Sequence, residues 1–248
     1  LGLAYVSAPY NTLVGFGGPS VNAREFSRLL AKLRRLRASR RFKIVVGGEA
    51  AWQIIVAGRQ SDLGIDHLVC GRAEAGLGTV MDAVLSGTAP PVIRMKPSDF
   101  PGAPVPLIRA PAIYGDVEIT RGCGRGCAFC SPNLQRRDSV PLSDILEEVK
   151  TNARGGARSV FAISDDMFLY QAGPDFAPNT EALVRLFEAI AAHPGVDHIH
   201  VSHASLAPVL AAPDLLPALA PILVAKSPRT LGGRAYAMQS KASTQSAV

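Results

Sequence analysis

The chain has 248 residues, of which 48% are hydrophobic and 19% charged, with a formal net charge of +6. That is enough apolar sequence for one large or two small packed domains, and no run approaches the uninterrupted length a membrane span needs. The four cysteines, with no secretory signal in the sequence, argue against a disulfide framework and fit a reducing cytoplasm. Nine of the basic residues fall between Arg24 and Lys43, mainly on one predicted helix whose other face is apolar. A solvated basic face explains them better than a nucleic-acid footprint, because no aromatics are interleaved to stack on bases.

The chain opens at Leu1, without methionine, and Leu3-Ala4-Tyr5-Val6 reads as a short buried strand followed by a polar, glycine-rich loop to Ser20. Such a beginning is expected of a fragment or a partial reading frame. Asn22 with Glu25 three residues on reads as a capping box, and Phe26, Leu29, Leu30, Leu33 and Leu36 follow at helical spacing. Lys43-Ile44-Val45-Val46-Gly47-Gly48 predicts a buried strand ending in a tight glycine turn, and a second helix takes in Trp52, Ile54 and Ile55. Asp66-His67-Leu68-Val69-Cys70-Gly71 predicts another strand, and residues 73–85 a third helix. Strand alternating with helix at this pitch implies a parallel sheet with right-handed crossovers.

This order, with Ile-Val-Val-Gly-Gly-Glu and then Gly-Ile-Asp-His-Leu-Val-Cys-Gly-Arg-Ala-Glu, resembles the latter half of a cobalamin-binding-type domain over residues 1–88. The resemblance implies a partial Rossmann-like (flavodoxin-like) sheet. The cobalamin-ligating Asp-x-His-x-x-Gly of that family does not occur in the chain. Either the ligand segment precedes Leu1, or this relative keeps the fold and no longer binds cobalamin. His67 has other neighbours and is read as structural, and Cys70 as a small buried hydrophobe.

Prolines recur at positions 90, 91, 97, 101, 104, 106 and 111, so residues 89–115 are expected to form an extended linker with no regular helix or central strand. The β-prone Val117-Glu118-Ile119-Thr120 then runs into Arg121-Gly122-Cys123-Gly124-Arg125-Gly126-Cys127-Ala128-Phe129-Cys130. Three thiolates spaced Cys-x3-Cys-x2-Cys on one short loop can converge on a single metal centre, and glycines let the backbone wrap it. Structural zinc asks for four ligands, commonly from two Cys-x2-Cys pairs, and this chain has one such pair. A 4Fe–4S cluster held by three cysteines keeps one iron free of protein ligands.

This loop resembles that of the radical S-adenosylmethionine superfamily. In that family the three cysteines, here Cys123, Cys127 and Cys130, bind three irons. The fourth iron chelates the methionine amino and carboxylate groups of S-adenosylmethionine, and the residue matching Phe129 lies close to the adenine. One electron from the cluster then cleaves the cofactor to methionine and a 5′-deoxyadenosyl radical, which abstracts a substrate hydrogen.

Beyond the loop, Leu142, Ile145, Leu146 and Val149 mark an amphipathic helix that should stop at Gly155-Gly156. The strand Ser159-Val160-Phe161-Ala162-Ile163 runs into Ser164-Asp165-Asp166. A helix with Leu183, Leu186, Phe187 and Ile190 follows, capped by Asn179 or Thr180, and His198-Ile199-His200-Val201 alternates as a third strand. Asp165 and Asp166 occupy the place where many family members carry Gly-Gly-Glu, which contacts the methionine ammonium. A carboxylate at a strand end suits a cationic sulfonium cofactor, and the alternative is that one aspartate caps the next turn. His198 and His200 share a strand face while His203 falls on the other, and no acidic residue or cysteine completes a ligand set. Residues 225–248, rich in Ser, Arg, Lys, Gln and Gly, read as disordered.

The fold class expected is α/β: a partial Rossmann-like parallel sheet, then residues 116–224 as the opening half of a radical S-adenosylmethionine (βα) barrel. The function implied is a radical enzyme using a 4Fe–4S cluster and S-adenosylmethionine on an unread substrate, fed by an electron donor such as ferredoxin or flavodoxin. This chain is expected to be an incomplete and inactive representative. A non-catalytic iron–sulfur or electron-transfer module is the alternative, and a basic nucleic-acid-binding protein the third reading. A cytoplasmic location without membrane partners is expected.

Overall fold

A computed structural model describes residues 21–48, 51–71, 73–74, 76–95, 106–126 and 136–227. The chain divides into two compact units between Pro106 and Leu107. Leu3-Ala4-Tyr5-Val6, the loop to Ser20, Cys127, Phe129, Cys130 and residues 228–248 lie outside the described residues. Among the described residues no helix is long and apolar enough to cross a membrane.

In the first unit, α1 (Val21–Leu36), β1 (Val45–Gly47), α2 (Ala51–Val56), β2 (His67–Gly71), α3 (Leu77–Ser86) and β3 (Val92–Met95) form a parallel sheet ordered β1-β2-β3. Alternation along β2 sends Leu68 and Cys70 to the face packed with Phe26, Leu30 and Ile54, and Val69 to the face packed with Val80, Val84 and Met95. Helices therefore cover both faces, which is why β2 reads as a continuous apolar run. The sheet is pinned at one end by Asp66, which accepts from the Ile44 N–H at 2.7 Å and from Arg37 at 2.7 and 2.9 Å.

Three details depart from the sequence expectation. Asn22 is not the residue preceding α1, which already includes Val21, and Glu25 bonds Arg28 one turn on. The apolar stripe closes at Leu33, since Leu36 is 39% exposed. The proline-rich stretch contains a strand: β3 pairs with β2 from Leu68↔Val92 to Gly71↔Met95. It escapes the proline rule because none falls inside it, and it lies at the sheet edge.

The second unit comprises β4 (Asp116–Arg121), β5 (Asp138–Ser139), α4 (Leu142–Arg154), β6 (Ser159–Ser164), α5 (Thr180–Ala192), β7 (His198–Val201), α6 (Leu206–Ala211) and α7 (Leu215–Ala225). The sheet order is β5-β4-β6-β7, with β4, β6 and β7 parallel and β5 antiparallel at the edge. Helix α4 stops at Arg154 as the glycine pair predicts, and Asn179 is the cap of α5, accepting from the Ala182 N–H at 3.0 Å. Val117, Ile119, Val160, Ala162 and Ile199 alternate into one core with Ile145, Val149, Leu183, Leu186, Phe187, Ile190, Leu215 and Leu219. That core takes one sheet face, so α4, α5 and α7 share a side.

The segment read as disordered from residue 225 begins within the fold. Ala225 closes α7, and Lys226 reaches the outer strand, its carbonyl accepting from the Ile199 N–H at 2.9 Å and its ammonium donating to the Val196 carbonyl at 2.7 Å.

Candidate metal and cofactor site

Parallel strands deliver their carboxyl ends to one side of a sheet, and the chemistry-bearing residues of the second unit collect there. Strand β4 ends at Arg121 and passes into the cysteine loop, whose φ values at Gly122, Gly124 and Gly126 are 72°, 75° and 71°. No non-glycine residue between them has positive φ, so the backbone alternates in sign at each step. A run of this kind turns successive N–H groups toward a common concavity, the form used around phosphates and iron–sulfur centres. A side chain at Gly124 would be both conformationally strained and in contact with Arg137 and Phe176. Cys123 is a half-buried free thiol. Among the described residues no group of three histidines, cysteines or acids could hold a metal, so a centre here needs Cys127 and Cys130 to complete it. The donor chemistry fits an iron–sulfur cluster: three thiols of one glycine-bearing loop, of which the described member is unpaired.

The loop is closed at its base, where returning β5 pairs Thr120↔Ser139 and Arg121↔Asp138. It is also fastened to the segment after β6. Arg125 donates from Nη1 to Asp166 Oδ2 at 2.8 Å, and Arg137 donates from Nη2 to the Ala172 and Gly173 carbonyls at 2.8 and 2.6 Å. Both guanidiniums lie over the ring of Phe176, at 5.9 Å for Arg125 and 5.1 Å for Arg137. Phe176 has φ of 64°, a strained value for an aromatic residue that these contacts hold in place.

Asp165 and Asp166 have different surroundings. Asp165 keeps access to solvent, yet protein packed around its carboxylate desolvates it and raises its pKa. The Gly122 N–H, which it accepts, and nearby His203 act in the opposite direction, while Glu118 and Asp166 push the pKa further up. Asp166 is 2% exposed. Its Oδ1 accepts from the N–H groups of Phe168 and Ser205, both at 3.2 Å, and its Oδ2 from Arg125 and the Ser205 hydroxyl. It therefore caps the short 3₁₀ turn Met167–Leu169, the alternative role weighed for one of the pair.

His203 lies past the end of β7 with Nδ1 3.1 Å from the Ser164 carbonyl. His198 and His200 flank core-facing Ile199 and share the opposite strand face, where His200 stacks on Phe161 with ring centroids 5.9 Å apart. Burial, and then the charge of His198, lowers the His200 pKa. In the first unit, His67 is buried with Nδ1 2.9 Å from the Pro90 carbonyl, and burial raises the Cys70 pKa. Sequence reasoning passed over Arg125, Arg137, Phe176 and Ser205; the only signal was a lone arginine set between two of the cysteines.

No protein-family model matches the chain. It is 32% identical over 102 residues to the tRNA-2-methylthio-N(6)-dimethylallyladenosine synthase of Halorhodospira halophila, covering 40% of this chain and 21% of that protein. It is 30% identical over 140 residues to the ribosomal protein uS12 methylthiotransferase RimO of Kineococcus radiotolerans, covering 56% and 25%. Among solved structures it resembles the radical S-adenosylmethionine methyltransferase TsrM of Kitasatospora setae, determined with cobalamin and a [4Fe-4S] cluster bound. That match has a TM-score of 0.55 at 16% identity and covers 80% of this chain and 43% of TsrM. The chain is a relative of the radical S-adenosylmethionine enzymes. It spans a quarter or less of the length of these two curated relatives. The likeness to TsrM is one of fold.

Proposed function

We propose that this relative of the radical S-adenosylmethionine enzymes binds a 4Fe–4S cluster through Cys123, Cys127 and Cys130 and holds S-adenosylmethionine at the open iron. The observation that carries this is the junction at the strand ends, where the cysteine loop leaves β4 and the Gly122 N–H meets Asp165 at the end of β6. Asp165 is the carboxylate that would receive the methionine ammonium of the cofactor, and Phe129 is the residue assigned to its adenine. Bound there, the cluster supplies one electron for reductive cleavage of S-adenosylmethionine. The protein's part is to place thiolates, a carboxylate and backbone N–H groups around the centre while Asp166 holds the turn behind them. The one-sided helices of the second unit fit the opening strands of a (βα) barrel. The first unit is the Rossmann-like portion that precedes it in the chain, with the stretch after β3 as linker.

The intact enzyme acts in the cytoplasm with a reducing partner such as ferredoxin or flavodoxin. Methylthio transfer, the chemistry in the names of the two curated relatives, is the reaction class this reading favours. Cobalamin binding through His67 is not part of the reading, because that ring is buried and engaged with Pro90.

The test is anaerobic reconstitution of the full chain with iron and sulfide, counting both and recording the paramagnetic resonance of the reduced form with and without S-adenosylmethionine. About four irons and a spectrum changed by the cofactor are expected, and alanine at any of the three cysteines should abolish or severely destabilise the cluster. Tightly bound zinc with no cluster would refute the assignment. A cluster indifferent to the cofactor would favour the electron-transfer module.

A further inference from the structure

Arg125 lies two residues from Cys123 and two from Cys127, and its charge is neutralised inside the protein rather than by solvent. Its partner Asp166 has a side chain 2% exposed, and that of Arg125 is 23% exposed. A carboxylate offers about four acceptor directions, and all four are taken: the Phe168 and Ser205 N–H groups on Oδ1, Arg125 and the Ser205 hydroxyl on Oδ2. Asp166 therefore has no direction left for a cofactor, and its reach into the cysteine loop goes through Arg125.

Burying an ion pair costs desolvation that its Coulomb attraction only partly offsets, so such a pair is poor evidence of added stability and better evidence of a fixed geometry. The same loop is fixed a second time, by Phe176, whose ring meets the guanidiniums of both Arg125 and Arg137. Both fixings come from the segment that follows β6, and both engage Arg125, the cation set between two cysteines.

We propose that Asp166 is a positioning residue of the cysteine loop. It holds Arg125 in place and cancels its charge, and so sets the reduction potential of the centre the loop carries. The proposal rests on the cluster reading given above. Reduction adds a negative charge to a cluster, so an uncancelled cation nearby favours the reduced form and an uncancelled anion disfavours it. With Asp166 neutral, Arg125 keeps its charge and the midpoint rises. Removing the guanidinium while Asp166 stays ionised lowers it. Removing both restores the original neutrality. A purely structural role would not produce shifts of opposite sign that cancel.

The experiment compares the full chain with D166N, R125Q and the double variant, each reconstituted anaerobically and titrated for its midpoint by paramagnetic resonance. The expected result is a positive shift for D166N, a negative shift for R125Q, and a double variant near the parent. Shifts of the same sign, or no shift at full cluster content, would overturn the proposal. The apo chain supplies a second readout that stands whether or not a variant takes up iron. Amide exchange of a peptide spanning residues 121–137 should quicken at least tenfold in D166N while β6 and β7 stay protected, and unchanged exchange in the loop would overturn the tether. A parent chain that takes up no cluster would remove the reading beneath the proposal, with the exchange experiment still deciding the tether.

Discussion

Replacing Asn152 by leucine separates the stability of the second unit from the chemistry of its strand ends. Asn152 is 1% exposed on α4. Its Oδ1 accepts from the Ala112 N–H at 2.8 Å and its Nδ2 donates to the Asp116 carbonyl at 3.2 Å, fastening the incoming segment to the first residue of β4. Leucine fills similar volume without serving either group. Each buried polar group left without a partner costs about 1–3 kcal/mol. The half-buried position of Ala112 admits some water, and the added apolar contact offsets part of the loss, leaving a net destabilisation of about 2–3 kcal/mol. At about 1.4 kcal/mol per decade, amide protection of β4 and β6 should fall by roughly 30- to 140-fold in exchange followed by mass spectrometry. Peptides from α1 and β2 serve as internal reference, and Thr151→Ala on the same helix as control. Asn152 ties the amino-terminal end of β4 and the cysteine loop leaves its carboxyl end, so cluster content per folded chain should be unchanged. Protection falling less than about threefold would show that these bonds do not carry the energy assigned to them.

A Cβ at Gly115 would lie 2.0 Å from the Ser159 carbonyl oxygen in a backbone of φ 68°, so Gly115→Ala should cost at least about 2 kcal/mol, read as a lower thermal midpoint; an unshifted midpoint would contradict the close β4–β6 approach. In the apo chain Cys123 should react with an aromatic disulfide reagent well before Cys70, whose thiol is buried with a raised pKa, and Cys70→Ala should leave cluster content unchanged; equal rates would contradict this. Burial and then His198 hold the His200 pKa below its usual value, so the unfolded chain takes up the proton first as pH falls. The resulting stability is full above the ordinary histidine pKa and lost as pH drops through the window beneath it. His200→Gln should flatten that dependence, and a proton resonance of His200 titrating at or above the ordinary value would refute the sign.

Most elements were legible because their periodicity is strong and local. Val160, Ala162 and Ile199 alternate in short apolar runs, and Ile145 with Val149 or Leu183 with Leu186 and Phe187 recur at helical spacing. Asn179 could be read as a cap because its partner lies three residues away. What escaped depends on distant partners or very short pieces. Strand β5 has two residues and no pattern to detect, and its identity comes from pairing with β4. Strand β3 was hidden by prolines that flank it without entering it. The Phe176 clamp joins residues far apart in sequence through ring contacts that no spacing announces. Of the cysteine loop, spacing offered the three candidate donors, whereas the fastening of Arg125 to Asp166 crosses 41 positions.

The two aspartates show how one strand end can serve two roles. Strand β6 stops at Ser164, whose N–H and carbonyl are both engaged by the Ser202 hydroxyl, so the sheet is locked up to that residue. The next residue leaves the ladder with its carboxylate toward the Gly122 N–H and His203. The one after it is extended, with φ of −160°, and is buried beneath the turn it caps. Successive residues of an extended chain point to opposite sides, so adjacent carboxylates at a strand end separate into one with solvent access and one enclosed. The enclosed carboxylate needs donors on every side, and it finds them in the turn, in Ser205 after β7 and in Arg125 of the cysteine loop. One buried group thereby connects segments after three neighbouring strands. Asp165 is left as the carboxylate of the pair that can receive a cation from outside.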